Sequence, residues 1–208
     1  MTRVLPYGES AVLLETDEDV HDLVRALEDA VGSGLLAGVV ESVPGARTVL
    51  VRVDRRRASV DAVAGALAGL RPLPRAQAVR HLVEIEVAYD GPDLTEVARL
   101  SRLTPTEVVQ AHTAVEYEVA FCGFAPGFAY LTGLDPALHV PRLPTPRTRV
   151  PRGAVAIAST YAAVYPRESP GGWRLLGTTT VALFDERRRR PAVLEPGTRV
   201  RFVPRDDG

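Results

Sequence analysis

The sequence predicts a small α+β domain followed by a mainly-β domain that closes into a barrel. Three observations support this prediction. The first seventy residues alternate strand and helix patterns in the order β-β-α-β-β-α, a proline-rich segment follows, and the remainder consists of short strand-like runs between proline and glycine turns. The boundary falls at residues 70–75, where two prolines within three residues end a helix and stiffen the crossing. We therefore expect domains at residues 1–74 and 75–208.

Apolar periodicity and turn residues predict the elements of the first domain. Short apolar runs at residues 4–6 and 11–14 predict two strands, and helical spacing over 17–31 predicts a helix that ends at Gly32. Runs at 39–43 and 48–53 flank a Pro-Gly turn, which is typical of a hairpin. A second helix covers the apolar positions between 60 and 70. This order predicts a sheet with helices over one face.

The second domain begins with a strand in which Val83, Ile85 and Val87 alternate with glutamates. Asp93 and Thr104 each stand three residues before a glutamate, the spacing of a capping box, and predict helices at about 93–101 and 105–113. Strand-like runs then occupy residues 117–122, 154–158, 181–184 and 198–203. Many short strands with turn signals favour a barrel, because closure removes exposed sheet edges.

Composition narrows the class of protein. The chain has 208 residues, is 46% hydrophobic and has a formal net charge of −1, which indicates a soluble globular protein with no reason to bind nucleic acid. No apolar run reaches membrane-spanning length, and the N-terminus lacks the apolar region of a signal peptide. A single cysteine excludes an internal disulfide and fits a cytoplasmic location, and four scattered histidines predict no metal site.

The loops of the second domain carry the residues best suited to a binding site. Proline and glycine alternate there with aromatic residues and arginine, which gives rigid loops able to hold a small polar ligand or a partner. Aromatic packing within the loops is an alternative for the phenylalanines and Tyr130, and the tryptophan is either a ligand wall or a core plug. The candidate binding residues are Phe124, Pro126, Gly127, Tyr130, Arg142, Arg152, Tyr165, Ser169, Gly171, Gly172 and Trp173.

The catalytic candidates are His112, Glu116 and Arg147. Imidazole titrates near neutral pH, so His112 is a candidate general base, with capping of the helix that ends near Thr113 as the alternative. Glu116 begins a strand, where a packing role suits it less than it suits Glu118. Arg147, like Arg142 and Arg152, offers a forked donor for phosphate or carboxylate.

These motifs, in this order, resemble one family. The run His112-Thr-Ala-Val-Glu-Tyr117, the Gly-Phe-Ala-Pro-Gly-Phe segment at 123–128, the Pro-Arg pairs and the Tyr-Pro…Ser-Pro-Gly-Gly-Trp segment at 165–173 are similar to the B component of bacterial 5-oxoprolinase. That family is also called KipI or allophanate hydrolase subunit 1, and a related module occurs in urea amidolyase. The resemblance extends from Tyr7-Gly8 to Pro196-Gly197.

The resemblance implies a ferredoxin-like α+β N-terminal domain and a cyclophilin-like β-barrel C-terminal domain. It further implies a subunit that works with a homologous barrel protein, the C component, and with a third protein, the A component. The assembly would open 5-oxo-L-proline to L-glutamate with hydrolysis of ATP, bound in this chain or with the partner. Two alternatives follow from other members: an inhibitor that binds a sensor histidine kinase, and a subunit of an allophanate or urea-amidolyase type of amidohydrolase. The fold alone does not separate these functions.

The expected chemistry explains the need for ATP. A lactam amide is a poor electrophile, and its phosphorylation on oxygen makes ring opening by water feasible, provided that positive groups meet the phosphate oxygens. The sequence contains no Walker-type loop and no lysine, so any nucleotide contact here uses another arrangement.

Two segments depart from the family pattern. Tyr161-Ala162-Ala163 stands where a Gln-Thr-Gly-like triplet is expected, and Gly177-Thr178-Thr179-Thr180 replaces Gly-Arg-Thr-Pro. The chain therefore lacks an amide, a hydroxyl and a guanidinium in the loops nearest Trp173, which predicts altered catalysis or an altered substrate.

Overall fold

The computed structural model of the chain describes residues 2–73 and 81–205, and the chain divides into two units, Met1–Val79 and Arg80–Gly208. Each unit has buried apolar clusters of its own. The predicted boundary between residues 74 and 75 lies outside the described residues and stays a prediction. Within the described ranges, no helix combines the length and the apolar content needed to cross a bilayer.

The first unit is the predicted α+β structure. Its four strands are antiparallel in the order β1-β2-β4-β3, and strand residues such as Val12 and Val51 pack with Leu23 and Leu67 of the helices. The elements follow the order ββαββα, in which β1 and β2 form a hairpin. The resemblance implied a ferredoxin-like domain, whose order is βαββαβ, so the observed order of elements differs from it. The elements are β1 (Arg3–Tyr7), β2 (Ala11–Glu15), α1 (Val20–Gly32), β3 (Val39–Pro44), β4 (Thr48–Val53) and α2 (Val60–Ala68).

The second unit is mainly β, as predicted, with two helices between its first two strands. Short strands follow one another from residue 117 to residue 178, and the longest connection between them, residues 133–146, contains a 3₁₀ turn at Pro136–Leu138. The elements are β5 (Leu82–Val87), α3 (Leu94–Ser101), α4 (Pro105–Thr113), β6 (Tyr117–Cys122), β7 (Ala129–Thr132), β8 (Arg147–Val150), β9 (Ala154–Ala158), β10 (Tyr161–Val164), β11 (Ser169–Gly171), β12 (Arg174–Thr178) and β13 (Arg199–Pro204).

Seven of these strands form a nearly closed barrel. The order is β12-β9-β10-β7-β6-β13-β5, and β5 is parallel to β13 while the other pairs are antiparallel. The barrel closes where the chain just beyond β5 meets the end of β12. Ala88 and Thr178 exchange two backbone hydrogen bonds there, of 2.9 and 2.8 Å. Leu131, Ile157 and Phe202 are buried in the unit's main apolar cluster.

Glycines allow this closure. A Cβ atom on Gly177 would lie 2.2 Å from the Ala88 carbonyl oxygen, and one on Gly91 would lie 2.3 Å from the Leu175 carbonyl oxygen. Only a residue without a side chain permits the two backbones to approach so closely. We call the contact between residues 88–91 and 175–178 the barrel seam.

Two details of the sequence prediction are wrong. Asp93 makes no side-chain cap on α3, whereas Thr104 and Glu107 form the predicted capping box on α4. The Asp93 carboxylate is instead used in the tertiary contacts described below. Residues 181–184 do not form a strand: Phe184 makes only an isolated bridge to Ala192.

Candidate binding site

The loop between β6 and β7 begins with a strained turn at Phe124. The Ala125 amide donates to the Gly123 carbonyl oxygen at 2.7 Å, and Phe124 between them has a φ of 65°. This is a γ-turn of the positive-φ kind, which is rare and unfavourable for a residue with a side chain. Phe124 is 62% exposed in this turn. An exposed aromatic ring in a strained backbone is typical of a ligand-contacting loop.

A second turn completes the loop. The Phe128 amide donates to the Ala125 carbonyl oxygen at 2.9 Å across Pro126 and Gly127, and Gly127 has a φ of 79°. Proline followed by a positive-φ glycine is the pattern of a type II turn. A Cβ on Gly127 would also lie 2.6 Å from the Cβ of Phe184. The Pro-Gly pair is therefore required by the backbone, and it places Phe128 in a buried apolar cluster and Phe124 at the surface.

Four separated segments meet in a small cavity beside this loop, which we call the aromatic pocket. Its volume is about 100 Å³. Seven of the predicted binding residues line it, together with two residues that were not predicted, Phe128 and Pro170. The predicted residues that line it are Phe124, Tyr130, Arg142, Tyr165, Gly171, Gly172 and Trp173.

The walls of the aromatic pocket are rings packed edge to face. The Phe128 ring centre lies 5.2 Å from that of Tyr165 and 5.7 Å from that of Trp173, and the Tyr130 and Trp173 centres are 5.6 Å apart. Phe128, Tyr165 and Trp173 are all buried. Such pairs stabilise one another beyond the area that they bury, so the walls are formed before any ligand arrives.

Arg142 provides the charge at this pocket. Its guanidinium carbon lies 5.7 Å from the centre of the Trp173 ring, within the range of a cation–π contact. Burial raises the pKa of the Tyr165 phenol, and the Trp173 amide and the charges of Arg142 and Arg147 oppose that shift. Tyr165 is therefore a neutral hydroxyl. A Cβ on Gly171 would lie 2.2 Å from this hydroxyl, so glycine is needed for the strand to pass it.

The backbone of Arg147 pairs with that of a residue lining the aromatic pocket, but Arg147 itself lines a different cavity. Strands β8 and β11 pair so that Arg147 is opposite Gly171. The Arg147 Nη2 donates to the buried carboxylate of Asp93 at 2.8 Å, and the other oxygen of Asp93 accepts the Leu175 amide at 2.7 Å. This pair fixes β8 to the start of α3 and to β12. If Arg147 binds phosphate, as predicted, its guanidinium does so while it also donates to Asp93.

The second cavity lies at the barrel seam and has a volume of about 280 Å³. Charges of both signs line it, positive from Arg147 and Arg149 and negative from Asp90. The Thr178 hydroxyl lies 3.1 and 3.2 Å from the two oxygens of Asp90, and Arg149 pairs with Glu168 at 2.6 Å. The departure from the family pattern at Thr178 thus leaves Asp90 with a hydroxyl partner.

His112 lies in the core and lines neither cavity. Its imidazole is fully buried, stacks on Phe202 at 4.5 Å and is joined to the Tyr89 hydroxyl through Nδ1 at 2.8 Å. Nε2 has no hydrogen-bond partner among the described residues. Burial lowers the pKa of His112 to about 3. The imidazole is neutral at physiological pH and lines neither cavity, so the geometry favours a structural role, and the catalytic role of His112 stays a prediction.

Glu116 is part of an ion-pair ladder on the barrel strands. Its carboxylate accepts from Arg201 Nη2 at 2.7 Å and also pairs with Arg199, while Arg201 reaches Glu84 at 3.2 Å. These contacts join β5 and β13 to the residue that precedes β6. These ion pairs give the Glu116 carboxylate partners without a ligand, and its catalytic role stays a prediction.

The remaining predicted binding residues, Pro126, Gly127, Arg152 and Ser169, do not line the aromatic pocket. Pro126 and Arg152 are exposed in turns. Ser169 pairs with Val150 in the β11–β8 ribbon, and its buried hydroxyl oxygen has no hydrogen-bond partner among the described residues. The replaced residue Tyr161 packs edge to face with Tyr130 at 5.8 Å. The tyrosine that replaces the expected amide thus extends the aromatic cluster.

Sequence reasoning missed the tertiary role of Asp93 and Asp90. Both lie in the segment Asp90-Gly91-Pro92-Asp93, which directly follows the alternating strand β5. Two carboxylates around a Gly-Pro turn after a barrel strand are a signal for a loop site, but we interpreted Asp93 only as a helix cap. A groove of about 390 Å³ in the first unit contains ion-paired surface residues such as Arg3 and Glu15 and none of the predicted site residues. In the described residues, no three His, Cys, Asp or Glu side chains are placed to hold a metal ion.

Comparison with known proteins identifies relatives over nearly the whole chain. Residues 2–194 match the family described as carboxyltransferase domain, subdomain C and D. The chain is 38% identical to the B component of 5-oxoprolinase from Escherichia coli O157:H7, over 97% of this chain and 95% of that protein. It is 33% identical to the B component of 5-oxoprolinase from Bacillus subtilis, over 94% and 90%.

Solved structures show the same architecture. TTHA0988 superimposes with a TM-score of 0.79 and 39% identity, over 95% of this chain but only 40% of that one. PH0987 of Pyrococcus horikoshii gives a TM-score of 0.59 and 37% identity over 99% and 98% of the two chains. The urea amidolyase of K. lactis reaches a TM-score of 0.79 at 20% identity, over 98% of this chain and 15% of that one, a likeness of fold alone.

Proposed function

Because the chain belongs to the carboxyltransferase domain family, subdomain C and D, we propose that it is the B component of an ATP-dependent 5-oxoprolinase. The assembly hydrolyses the cyclic amide of 5-oxo-L-proline to L-glutamate. The observation that carries this proposal is the 38% identity, over almost the full length of both chains, to a protein named as the B component of 5-oxoprolinase. The aromatic pocket and the seam cavity offer sites for a small ring and for anionic groups.

The volumes of the two cavities favour nucleotide binding by a partner protein rather than by this chain. A nucleotide needs a cavity in the range of 300–1,000 Å³ that is typical of ligand sites, whereas the aromatic pocket has about 100 Å³. The seam cavity is larger, at about 280 Å³, but Asp90 there would repel phosphate. ATP, which supplies the phosphoryl group that activates the lactam oxygen, is therefore held mainly by a partner protein. Arg147 and Arg149 line the seam cavity, so any contact of this chain with the phosphate oxygens uses these two guanidinium groups against the repulsion by Asp90.

In this proposal the chain acts only with two other proteins, a homologous barrel protein (the C component) and a third protein (the A component). TTHA0988 is more than twice as long as this chain, which is consistent with a relative that joins this fold to further sequence in one polypeptide. What this chain contributes is a rigid aromatic wall, the Arg142 guanidinium at that wall and an Arg147 side chain that Asp93 holds in position. In this proposal the assembly acts in the cytoplasm.

Co-expression of the chain with the A and C components tests the proposal. We expect glutamate and ADP to form in equal amounts from 5-oxo-L-proline and ATP in the full complex, and neither product from the chain alone. A matched complex that contains Arg147→Gln should assemble but lose turnover, while Glu168→Gln should retain it. A folded, fully assembled complex that releases no glutamate would exclude the assignment.

One observation favours a second function. The exposed Phe124 ring on a rigid turn is the type of anchor that protein interfaces use, which suits an inhibitor that binds a sensor histidine kinase. In that case the purified chain should slow kinase autophosphorylation, and Phe124→Ala should abolish the effect. Unchanged autophosphorylation at saturating chain concentration excludes this alternative. The amidohydrolase alternative has only the shared fold in its favour, at 20% identity.

A further inference from the structure

The aromatic pocket has the size and shape of a site for one small ring. Its volume is about 100 Å³, and three of its walls are the buried rings of Phe128, Tyr165 and Trp173. Their edge-to-face contacts leave ring faces and edges, rather than flexible chains, around the space. Rigid aromatic walls bind a flat ring with little loss of side-chain entropy.

The pocket has one kind of charge. Arg142 is the single Asp, Glu, Lys, Arg or His side chain among the described residues that line it. Arg142 is exposed, and its guanidinium lies 5.7 Å from the Trp173 ring centre, so it can rotate to meet a ligand while it stays beside that ring. A guanidinium next to an apolar wall selects a ligand with a carboxylate, because the fork of N–H groups matches the two oxygens.

The entrance to the pocket carries backbone strain. Phe124 has a φ of 65°. The centre of its ring lies 5.2 Å from the ring centre of Phe128 and 6.5 Å from that of Tyr165. Phe124 is 62% exposed, whereas the rings that it contacts are buried. Strained residues persist where the surrounding structure fixes them, and they concentrate at ligand clamps. The position of Phe124 over two wall rings is that of a clamp.

We propose that the aromatic pocket is the substrate half of the oxoprolinase site, and that it binds a small ring bearing one carboxylate without help from a partner protein. The carboxylate pairs with Arg142, and the ring lies against Trp173 and Phe128 beneath Phe124. 5-Oxo-L-proline belongs to this chemical class. This inference rests on the proposed function and extends it, because it assigns substrate recognition to this chain and leaves nucleotide binding to the partner.

Trp173 is the only tryptophan of the chain, so its fluorescence reports directly on the pocket. Titration of the full-length chain with 5-oxo-L-proline should give a saturable change in Trp173 emission. 2-Pyrrolidinone, which has the same ring without the carboxylate, should bind at least about tenfold more weakly, because it loses one charge-assisted contact. ATP should produce no saturable change over the same concentration range.

Substitution of the guanidinium separates the charge contact from the ring contact. Arg142→Gln should weaken 5-oxo-L-proline by about ten- to a hundredfold and leave the affinity of 2-pyrrolidinone unchanged. The control is Arg188→Gln in the 187–190 turn, where Arg188 is partly exposed and pairs with Asp185. An Arg142→Gln chain that binds 5-oxo-L-proline as tightly as the unmodified chain would overturn the inference, as would equal affinities for the two ligands.

Different experimental results refute the proposed subsite and the proposed function. Saturable binding to the chain combined with no turnover in the folded complex refutes the oxoprolinase proposal and leaves the subsite standing. Normal turnover in the complex, combined with no Trp173 response to 5-oxo-L-proline in either the chain or the complex, refutes the subsite alone.

Discussion

At the scale of single residues, the His112 imidazole depends on its surroundings for its protonation state. It is enclosed by Phe202, Tyr117 and Tyr89, and burial lowers its pKa to about 3 from an ordinary value of 6.5. Burial also raises the pKa of Tyr89, so the hydroxyl that bonds to the imidazole is neutral. The pair is a neutral hydrogen bond inside an aromatic cluster, which stabilises the fold in a pH-dependent way.

His112 should make the barrel less stable in acid. Between pH 6.5 and 3 the unfolded chain binds a proton at this position that the folded chain does not, so the free energy of unfolding rises with pH in this window, by up to about 1.4 kcal/mol per pH unit. His112→Phe should lower the stability at pH 7, because Tyr89 loses its partner, but should reduce the slope. Urea unfolding followed by Trp173 emission at pH 7, 6 and 5 measures both effects.

His21→Gln, on α1 in the first unit, is the matched control and should leave the slope of the barrel transition unchanged. A His112→Phe chain whose stability falls with acid as steeply as that of the unmodified chain would show that His112 does not cause the dependence.

Asp93 has more contacts than its place at a helix start suggests. One carboxylate oxygen accepts the Leu175 amide and the other accepts from Arg147. Asp93→Asn would turn an N–H group toward one of these donors, so we expect a loss on the order of 2 kcal/mol in the unfolding free energy. Denaturant unfolding measures this loss. The comparison variant is Glu168→Gln, which breaks the exposed pair with Arg149 and should have little effect; equal losses would contradict a special role for Asp93.

Residue type and order identified seven residues of the aromatic pocket, because proline, glycine and aromatic residues on loops have strong conformational and packing preferences. The same reasoning could not place Arg147 or His112. The Arg147–Asp93 pair joins positions 54 residues apart, and the burial of His112 results from packing against Phe202, which is far away in sequence. Contacts of this kind depend on the tertiary arrangement rather than on local pattern.

At the scale of elements, the β6–β7 loop combines a turn that its sequence predicts with one that it does not. Pro126-Gly127 follows the type II pattern, whereas a phenylalanine at a φ of 65° has no local explanation. The strain at Phe124 is measurable by two variants that both remove the ring. Phe124→Gly should be more stable than Phe124→Ala by about 1 kcal/mol, because only glycine adopts this backbone region without a steric penalty.

Urea unfolding of the two Phe124 variants measures the difference. The same pair of substitutions at Tyr161, which begins a regular strand, should give the reverse order, since glycine weakens a strand interior. If alanine at position 124 is as stable as glycine, the backbone there is not strained.

The barrel seam is the element least visible in the sequence. Gly177 and Gly91 look like ordinary loop glycines, yet a Cβ on Gly177 would lie 2.2 Å from the Ala88 carbonyl oxygen. Gly177→Ala should push the two backbones apart, break the hydrogen bonds between Ala88 and Thr178, and lower the unfolding free energy by about 2 kcal/mol or more. Thermal unfolding, followed by Trp173 emission, measures the loss.

Gly123→Ala is the control for the seam, because a Cβ at position 123 would meet nothing closer than 3.9 Å and the backbone φ is not in the positive region. It should change the midpoint little. A Gly177→Ala protein with an unchanged midpoint would show that the ends of the barrel are not held together at this point.

At the scale of the whole molecule, the two-part organisation and the barrel were predictable from the sequence, whereas the contacts that close the barrel were not. Helical and strand periodicities are local, so the change after residue 70 from alternating helices and strands to short strands was visible in the sequence. The parallel pairing of β5 with β13 joins the two ends of the second unit, and no local pattern specifies it. Of the two Ala-rich strands, β9 matches the run predicted at residues 154–158, whereas β10 was not predicted, since alanine has a low strand propensity.

The apolar clusters divide along the same boundary. One cluster contains residues between positions 4 and 70, and the two others contain residues between positions 83 and 202. A chain in which each unit has its own core can fold in parts. We therefore expect a fragment of residues 75–208 to fold as a barrel and to unfold cooperatively, with the Trp173 emission maximum of the full-length chain.

Circular dichroism and urea unfolding of that fragment check the expectation, and binding of 5-oxo-L-proline to it would show that the aromatic pocket is complete. The matched control is the same fragment with Gly177→Ala, which should unfold at a lower urea concentration because the added Cβ separates the two backbones of the seam. A fragment that aggregates, or that binds a dye for exposed apolar surface, would mean that the barrel needs the first seventy-four residues, and the boundary between residues 74 and 75 would have to be abandoned.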